Sequence, residues 1–378
     1  MIYLDNAATS YPKPRVVKRE LLRALKKYPG NPGRGGHRLS LAAAETVFRA
    51  RTAVKTLLQA ENEEQIIWTQ NATFAINTVL RARVEVGMHI LLSDLEHNAV
   101  FRPIHRLSLD GTVTYTIFPH TGNVMESLET LARENTRMLF CTHISNVNGY
   151  VMPVEEIAAF CKSRGIYFVL DASQSLGHRE VTVDRIPCDA LCAPGHKGLL
   201  GIQGSGFLYV RSKEGLRDVF QGGSGSHSLS PKMPQDLPDL LEPGTLSTPA
   251  IGCLGASVRY LLSHGVTEAE AKELAFSRRI HLLLSEMPRV ELFSQPNTGI
   301  AAFRVPGVSS DTIATELNRR GVCVRGGYHC SPLAHRALGT LDTGLVRLSA
   351  GMYSTEKQAE KTARYLREIL ADLPIRNR

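Results

Sequence analysis

The sequence has 378 residues, of which 43% are hydrophobic and 21% charged. This composition is ordinary for a globular protein of two or three domains and excludes disordered, collagen-like and coiled-coil chains. The net charge of +8 comes from Lys and Arg spread along the chain, which favours a basic cleft for phosphate and carboxylate groups over a nucleic-acid surface.

Neither a leader segment nor a membrane span is expected. The first 14 residues lack a basic start followed by an apolar stretch, and no apolar run approaches the roughly 18 residues of a spanning helix. The seven cysteines are scattered and contain no CxxC pair, so we expect free thiols and no metal site. A cytoplasmic location is predicted.

Short β-rich runs alternate with amphipathic patterns through the first two thirds of the chain. The predicted strands are Gln65–Thr69, His89–Ser93, Val113–Phe118, Arg137–Thr142, Tyr167–Asp171, Ala190–Ala193 and Gly206–Val210. Apolar residues at helical spacing predict helices over 41–58 and 154–164, the second ended by Gly165. This alternation predicts an α/β fold with a doubly wound, mostly parallel sheet, which binds ligands at the carboxyl ends of its strands.

The chain changes character after residue 222. Segment 222–249 is rich in Gly, Ser and Pro and predicts a long irregular loop, which is typically functional. The elements predicted after it are helices over 250–264, 267–287, 311–320 and 355–370 and strands over 299–304 and 322–325. We therefore expect a large α/β domain over 16–255 and a smaller α+β domain formed by 1–15 and 256–378.

Two motifs place chemically active side chains near predicted strand ends. Asp171 ends an apolar strand, where its carboxylate can pair with a cationic ring nitrogen, although capping of the next turn is the commoner role. Lys197 lies beside His196 in the glycine-rich segment APGHKGLLG (193–201). A lysine placed there can form a Schiff base if its pKa is lowered, and an ordinary surface lysine is the alternative.

Two further motifs suit a phosphate and a flat ring. In WTQNATFAIN (68–77) a strand runs into a helix start, where Asn71, Thr73 and free N–H groups offer an anion site or a plain helix cap. His97 in LEHNAV (95–100) could stack on a ring, although a lone histidine is more often only a satisfied polar residue. The four motifs together describe a pyridoxal phosphate site.

The sequence resembles the class V aminotransferases, which have the fold type I of pyridoxal phosphate enzymes, and within them the cysteine desulfurases. The resemblance covers nearly the whole chain. The motifs that carry it are YLDNAATS (3–10), RGGH (34–37), LEHNAV (95–100), SNVNG (145–149), LDASQS (170–175), GHKGLLG (195–201), EPGT (242–245), VRGGYHC (324–330) and VRLSAGMYST (346–355).

The resemblance implies a set of residues around pyridoxal 5'-phosphate. Lys197 would hold the cofactor and move the substrate Cα proton, and Asp171 would pair with the ring nitrogen. The remaining assignments are Gln174 for the phenolic oxygen, His97 for the ring face, the Ala72 N–H, Thr73 and His196 for the phosphate, and Thr245 for the phosphate of the neighbouring subunit. The role of Thr245 implies a homodimer with shared active sites.

The resemblance also implies how substrate and sulfur are handled. Asn146 and Arg347 would bind the substrate carboxylate, Arg347 through a bidentate pair, and Arg325 would also belong to the substrate-binding site. Cys330 would take the sulfur of L-cysteine as a persulfide, and alanine would leave. Its segment is similar to the short, ordered cysteine loop of SufS-like enzymes, and Arg325 and His329 would favour the thiolate. Burial as a small hydrophobe, which we expect for the other six cysteines, is the alternative.

Several positions depart from the family pattern. Pro194 and Ala72 stand where hydroxyl-bearing residues are common, so the phosphate would depend on backbone N–H groups. Tyr328 and the segment SPLAH after Cys330 also differ from the commonest cysteine loop. Substrate choice and the identity of any sulfur-acceptor protein therefore stay open.

The sequence predicts a cysteine desulfurase, with two classes of alternative. Selenocysteine lysis, cyst(e)ine β-elimination and transamination would use the same cofactor. A binding protein that kept the fold but lost catalysis is a weaker alternative, because Lys197 and Asp171 are both present.

Overall fold

The computed structural model describes residues 1–33 and 35–373. Arg34 of the RGGH motif and the last five residues of the expected smaller domain lie outside the described residues. The strands are β1 (Ile2–Tyr3), β2 (Ile66–Thr69), β3 (Met88–Ser93), β4 (Val113–Phe118), β5 (Thr136–Thr142), β6 (Tyr167–Asp171), β7 (Ala190–Pro194), β8 (Gly206–Val210), β9 (Glu291–Leu292), β10 (Ile300–Arg304), β11 (Val322–Cys323) and β12 (Val346–Ser349).

The helices separate most of these strands. They are α1 (Arg15–Lys27), α2 (Arg38–Leu58), α3 (Ala72–Arg83), α4 (Asn98–Leu109), α5 (Val124–Leu131), α6 (Val154–Arg164), α7 (Thr248–His264), α8 (Val266–Ser285), α9 (Ser310–Arg319), α10 (Pro332–Ala337) and α11 (Glu356–Asp372). Gly165 ends α6 with a left-handed φ of 63°, as its position after the apolar pattern predicts.

The largest sheet has seven strands in the order β2-β8-β7-β6-β5-β3-β4. The pairs among β3, β4, β5, β6 and β7 are parallel, whereas β8 runs antiparallel to both β7 and β2. The prediction of an α/β fold with a large, mostly parallel sheet is confirmed. The switch of direction at β8 follows from the short connection between β7 and β8, which lacks a crossover helix.

Both faces of the large sheet are covered by helices. Along β6, Phe168 and Leu170 pack into one apolar cluster and Val169 packs into the other. Because successive side chains of a strand point to opposite faces, a strand buried on both sides is apolar throughout. This explains why β6 appears in the sequence as an uninterrupted apolar run that ends at Asp171.

A second unit contains the antiparallel sheet β12-β10-β9, and β1 pairs in parallel with β11 beside it. An apolar cluster that includes Phe276 of α8, Phe303 of β10 and Leu366 of α11 holds this unit together. The N-terminal strand thus lies with the C-terminal part of the chain. The domain boundaries themselves stay a prediction.

Segment 222–247 contains no helix or strand, in agreement with the predicted irregular loop. It is nevertheless anchored, because Arg51 of α2 donates to both carboxylate oxygens of buried Glu242 at 2.9 Å. Over the described ranges, no helix has both the length and the apolar character that crossing a bilayer requires.

Candidate active site

A cavity of about 180 Å³ opens at the carboxyl ends of β5, β6 and β7. Parallel strands end at one edge of the sheet, so the residues that follow them meet there. Eight of the candidate site residues line the cavity: Ala72, Thr73, His97, Asn146, Asp171, Gln174, His196 and Lys197. Pro194, the last residue of β7, lines it too.

Lys197 is half-buried in the turn after β7. Burial lowers the pKa of its amine to about 8, and the nearby Asp171 carboxylate opposes that shift. An amine with this pKa is partly neutral near pH 7, so it can act as a nucleophile. This placement excludes the alternative that Lys197 is an ordinary solvent-exposed lysine.

Two glycines fix the turn that carries Lys197. A Cβ added to Gly177 would lie 2.4 Å from the backbone carbon of Gly198, and one added to Gly198 would lie 2.4 Å from the carbonyl oxygen of Leu176. Only glycine permits two backbones to approach so closely. The segment after β6 and the segment after β7 are therefore packed directly on each other.

Asp171 and Gln174 come from the first of these segments and are both buried. Asp171 accepts a hydrogen bond from the N–H of Ser173 at 2.9 Å, so it caps the local turn and also lines the cavity. Gln174 donates from Nε2 to the carbonyl of Ala7 at 3.0 Å. The N-terminal segment thereby contacts the cavity wall.

His97 caps helix α4 at the cavity edge. Its Nδ1 accepts a hydrogen bond from the N–H of Ala99 at 3.0 Å, which leaves the ring proton on Nε2. Burial, together with the positive charge of Lys197, lowers the pKa of His97 to about 4, and Asp171 opposes this shift. The cavity therefore contains a neutral imidazole ring.

The cavity wall also contains groups suited to an anion. Helix α3 begins at Ala72 and is capped by Asn71, whose side chain accepts from the N–H of Phe74 at 3.0 Å. Burial lowers the pKa of His196 to about 4, and its Nδ1 is buried without a hydrogen-bond partner in the described parts of the chain. Free helix N–H groups and an unpartnered ring nitrogen together favour a phosphate.

Cys330 lies in the segment between β11 and α10, and its side chain is exposed. His329 and Cys330 have left-handed backbone conformations, with φ of 49° and 59°. Of the other six cysteines, five are buried as expected, but Cys323 is only partly buried. Burial of Cys330, the alternative from the sequence, is wrong.

His329 does not supply the positive charge that the sequence led us to expect beside Cys330. It is buried, its Nε2 donates to the carbonyl of Leu345 at 3.1 Å, and burial lowers its pKa to about 2. The ring is neutral at physiological pH. Arg325 is exposed at the start of the same segment.

Arg347 and Asn146 lie side by side beneath the Cys330 segment. Arg347 is almost fully buried, and it donates to Asp5 Oδ1 at 2.9 Å and to the Asn146 carbonyl at 2.7 Å. Its Nε is buried without a partner among the described residues. The Asn146 amide is bonded to the segment itself, from Nδ2 to the His329 carbonyl and from Ser331 Oγ to Oδ1, both at 2.7 Å.

Thr245 is exposed on segment 222–247 and does not line the cavity of its own chain. Its assignment to a neighbouring subunit stays a prediction.

The structure adds three residues that the sequence analysis did not assign to the site. Asp5 pairs with Arg347, Ser331 bonds to Asn146, and Glu96 is fully buried directly before His97. Burial raises the pKa of Glu96 to about 8, although one of its oxygens accepts from Ser93 and from the N–H of Thr142. Asp5 and Glu96 lie inside the motifs YLDNAATS and LEHNAV. Their positions in these motifs were the sequence feature that could have assigned them to the site.

Comparisons with known proteins show what this chain is similar to. The family model described as aminotransferase class-V matches residues 2–361. A probable cysteine desulfurase of Methanothermobacter thermautotrophicus is 32% identical over 97% of this chain and 94% of that protein. A probable cysteine desulfurase of Synechocystis is 31% identical over 95% and 89%, respectively.

Solved structures give the same result. The apo structure of a cysteine desulfurase from Thermococcus onnurineus matches with a TM-score of 0.92 at 29% identity, covering 98% of this chain and 95% of that one. The cysteine desulfurase CsdA from Escherichia coli matches with a TM-score of 0.89 at 26% identity, with the same coverage.

Proposed function

The chain belongs to the class V aminotransferase family, and on that premise we propose that it is a cysteine desulfurase that converts L-cysteine to L-alanine and leaves the sulfur on Cys330 as a persulfide. One observation carries the role of Cys330. All seven cysteines are described by the structure, and Cys330 alone is exposed, in a segment bonded to Asn98 and Asn146 at the edge of the cavity that contains Lys197.

The cavity fits pyridoxal 5'-phosphate. The Lys197 amine, whose pKa is lowered, suits the aldehyde of the cofactor. The Asp171 carboxylate at the end of β6 suits the ring nitrogen, and the neutral imidazole of His97 suits the ring face. The unpartnered Nδ1 of His196 and the start of α3 match its phosphate. When bound, this cofactor draws electrons from the substrate and acidifies its Cα–H bond.

Ala72 and Pro194 offer no side-chain hydroxyl to that phosphate. The support for phosphate binding is therefore the backbone N–H of Ala72, the Thr73 hydroxyl and His196, which all line the cavity. Gln174 is assigned to the phenolic oxygen, with its amide held by Ala7.

Lys197 is the group that moves the proton in this proposal. Once its amine is free and neutral, Nζ can take the substrate Cα proton and later return a proton to the product. Its pKa of about 8 is close to neutral pH. Part of the amine is therefore neutral and can accept a proton, and the protonated amine can donate one.

Cys330 is the nucleophile in the proposed sulfur step. Its thiolate attacks the substrate sulfur, the S–S bond forms as the Cβ–S bond breaks, and the electron pair remains on Cβ. A proton then completes the methyl group of alanine. Arg347 and Asn146 are assigned to the substrate carboxylate, which has to share the Arg347 guanidinium with Asp5 or displace it.

We also propose a homodimer in which Thr245 of one subunit reaches the phosphate site of the other. Its support is that Thr245 is exposed on a long irregular segment that Glu242 anchors to Arg51. The proposed chemistry needs a reduced thiol at Cys330, which agrees with a cytoplasmic location, and a sulfur-acceptor protein would take the persulfide onward.

The test is an absorbance spectrum of the purified protein before and after L-cysteine, with alanine, pyruvate and sulfide assayed together. We expect a visible cofactor band that changes on adding L-cysteine, alanine in the products, and sulfide only in the presence of a reductant. Pyruvate in place of alanine would assign β-elimination instead. Absence of a band after incubation with pyridoxal phosphate would overturn the proposal.

A further inference from the structure

The segment around Cys330 is held on both sides by a single amide. Asn146 Nδ2 donates to the carbonyl of His329, and Asn146 Oδ1 accepts from the Ser331 hydroxyl, each at 2.7 Å. Asn146 and Ser331 are buried, whereas Cys330 between the bonded residues is exposed. The amide therefore bridges the two neighbours of the nucleophile and leaves its thiol free.

Arg347 extends the same network. Its side chain donates to the Asn146 carbonyl at 2.7 Å, and its backbone exchanges hydrogen bonds with Arg325, at the start of the segment, at 2.8 and 3.3 Å. The two residues that the family resemblance assigns to the substrate carboxylate are thus the residues that hold the cysteine segment. Substrate position and thiol position are set by one set of contacts.

The backbone of the segment needs such support. His329 and Cys330 both have positive φ values, a conformation that side chains other than glycine adopt at a cost. Strained residues persist only where their surroundings over-determine them. Three hydrogen bonds supply that constraint. Asn146 donates to the carbonyl of His329, the N–H of Asn98 donates to the carbonyl of Cys330, and the Ser331 hydroxyl donates to Asn146.

We propose that Ser331 is a positioning residue, which acts through Asn146 to hold the Cys330 thiol where it can attack the substrate sulfur. The inference rests on the proposed desulfurase function. Ser331 opens the segment SPLAH that follows Cys330. An alanine at position 331 would leave Asn146 Oδ1 buried without its donor.

The variants that test this are Ser331→Ala and Ser331→Thr, with Ser285→Ala as the matched control. Ser285 carries the same hydroxyl on the exposed end of α8, bonded within its own helix to Leu282. We expect Ser331→Ala to lower kcat for alanine formation from L-cysteine by about tenfold, the loss of one well-placed hydrogen bond. KM should stay within twofold, and Ser331→Thr should recover most of kcat.

L-Selenocysteine separates positioning from general damage, because selenium leaves readily without a thiol. Ser331→Ala should slow L-cysteine turnover far more than L-selenocysteine turnover. Equal losses with both substrates, or a rise in KM with unchanged kcat, would overturn the inference.

Hydrogen exchange of the peptide over 326–335 gives a readout that needs neither cofactor nor substrate. Ser331→Ala should exchange faster there than wild type, and Ser331→Thr and Ser285→Ala should not. Unchanged exchange would overturn the inference even if wild type proved active. A wild type that makes no alanine from L-cysteine would instead refute the proposed function, and faster exchange would then still support the Ser331 contact.

Discussion

The backbone N–H of Asn98 donates a hydrogen bond to the carbonyl of Cys330 at 2.8 Å. Asn98 is the first residue of α4, whose initial N–H groups have no partner within the helix. The N-terminus of α4 is therefore capped by the His97 side chain and also by the backbone carbonyl of Cys330, the residue proposed to take the substrate sulfur. This bond fixes the spacing between the imidazole at the cavity and the exposed thiol.

Replacing Cys330 with alanine should abolish sulfide release and persulfide formation from L-cysteine, because no other exposed thiol lies at the cavity. Cys323→Ala is the matched control, since Cys323 is partly buried in the neighbouring strand β11. Product analysis by sulfide and alanine assay measures both. Undiminished sulfide release from Cys330→Ala would refute the persulfide step.

Loading of the apoprotein with pyridoxal phosphate should depend on pH through Lys197. Only the neutral amine attacks an aldehyde, so the loading rate should rise with pH to a midpoint near 8, the lowered pKa of this amine. The Asp171 carboxylate favours the protonated amine, so Asp171→Asn should move the midpoint to lower pH. Stopped-flow absorbance measures the rate, and a midpoint near the ordinary lysine value of 10.5 would contradict this prediction.

Arg347→Lys should raise KM for L-cysteine by about tenfold or more, because an ammonium cannot bind a carboxylate bidentately and lacks the donor that reaches the Asn146 carbonyl. Steady-state kinetics provide the measurement. Arg304→Lys, at a surface ion pair with Glu291 on the same small sheet, should leave KM unchanged. Equal effects of the two substitutions would speak against a carboxylate site at Arg347.

Glu96 should make the protein less stable as pH rises. Its pKa is raised from 4.5 to about 8 in the folded state by burial, so between these values the folded protein holds a proton that the unfolded chain releases. The proton on Glu96 stabilises the folded state. This stabilisation is complete below about pH 4.5 and declines towards pH 8, by at most about 1.4 kcal/mol per pH unit.

Glu96→Gln removes this titration and keeps an oxygen for Ser93 and Thr142. Denaturation at several pH values should therefore show wild type losing stability relative to Glu96→Gln as pH rises from 4.5 to 8. Glu64→Gln, at an exposed position, is the control. Parallel pH profiles for wild type and Glu96→Gln would contradict the prediction.

Gly177→Ala should destabilise the protein more than Gly204→Ala. Both glycines have positive φ, 86° and 81°, so both substitutions carry the backbone strain of about 1 kcal/mol. A Cβ at position 177 also meets the Gly198 backbone at 2.4 Å, whereas one at 204 meets open space. We expect about 2 kcal/mol more loss at 177 by chemical denaturation, with weaker cofactor loading. Similar losses would show that the two turns are not in tight contact.

The large sheet could be predicted because its strands are buried on both faces and so form continuous apolar runs. The predicted bounds of Tyr167–Asp171 agree with the structure, and Gly165 marks the helix end before it. The two-residue strand β1 and the six-residue helix α10 were missed because segments this short carry no periodicity. Strand β11 is shorter than predicted, since Arg325 makes only an isolated bridge to Arg347.

The strand-end residues of the site could be predicted for the same reason that the sheet could. Asp171 is the last residue of β6 and Lys197 follows β7, so the topology alone brings them to one edge of the sheet. The neutral state of His329 could not be predicted, because it depends on burial by residues remote in sequence. Nor could the bonds of Asn146 to residues 329 and 331, which require the left-handed backbone of that segment.

The five buried cysteines limit where a persulfide sulfur could move within this protein. Burial raises the pKa of Cys141, Cys161, Cys188, Cys192 and Cys253, so these thiols stay protonated at neutral pH. A protonated, enclosed thiol exchanges poorly with a persulfide, because thiolates are the attacking species. Sulfur that the proposed reaction would place on Cys330 should therefore not migrate to these five thiols, and isotopically labelled sulfur should be absent from their peptides after digestion.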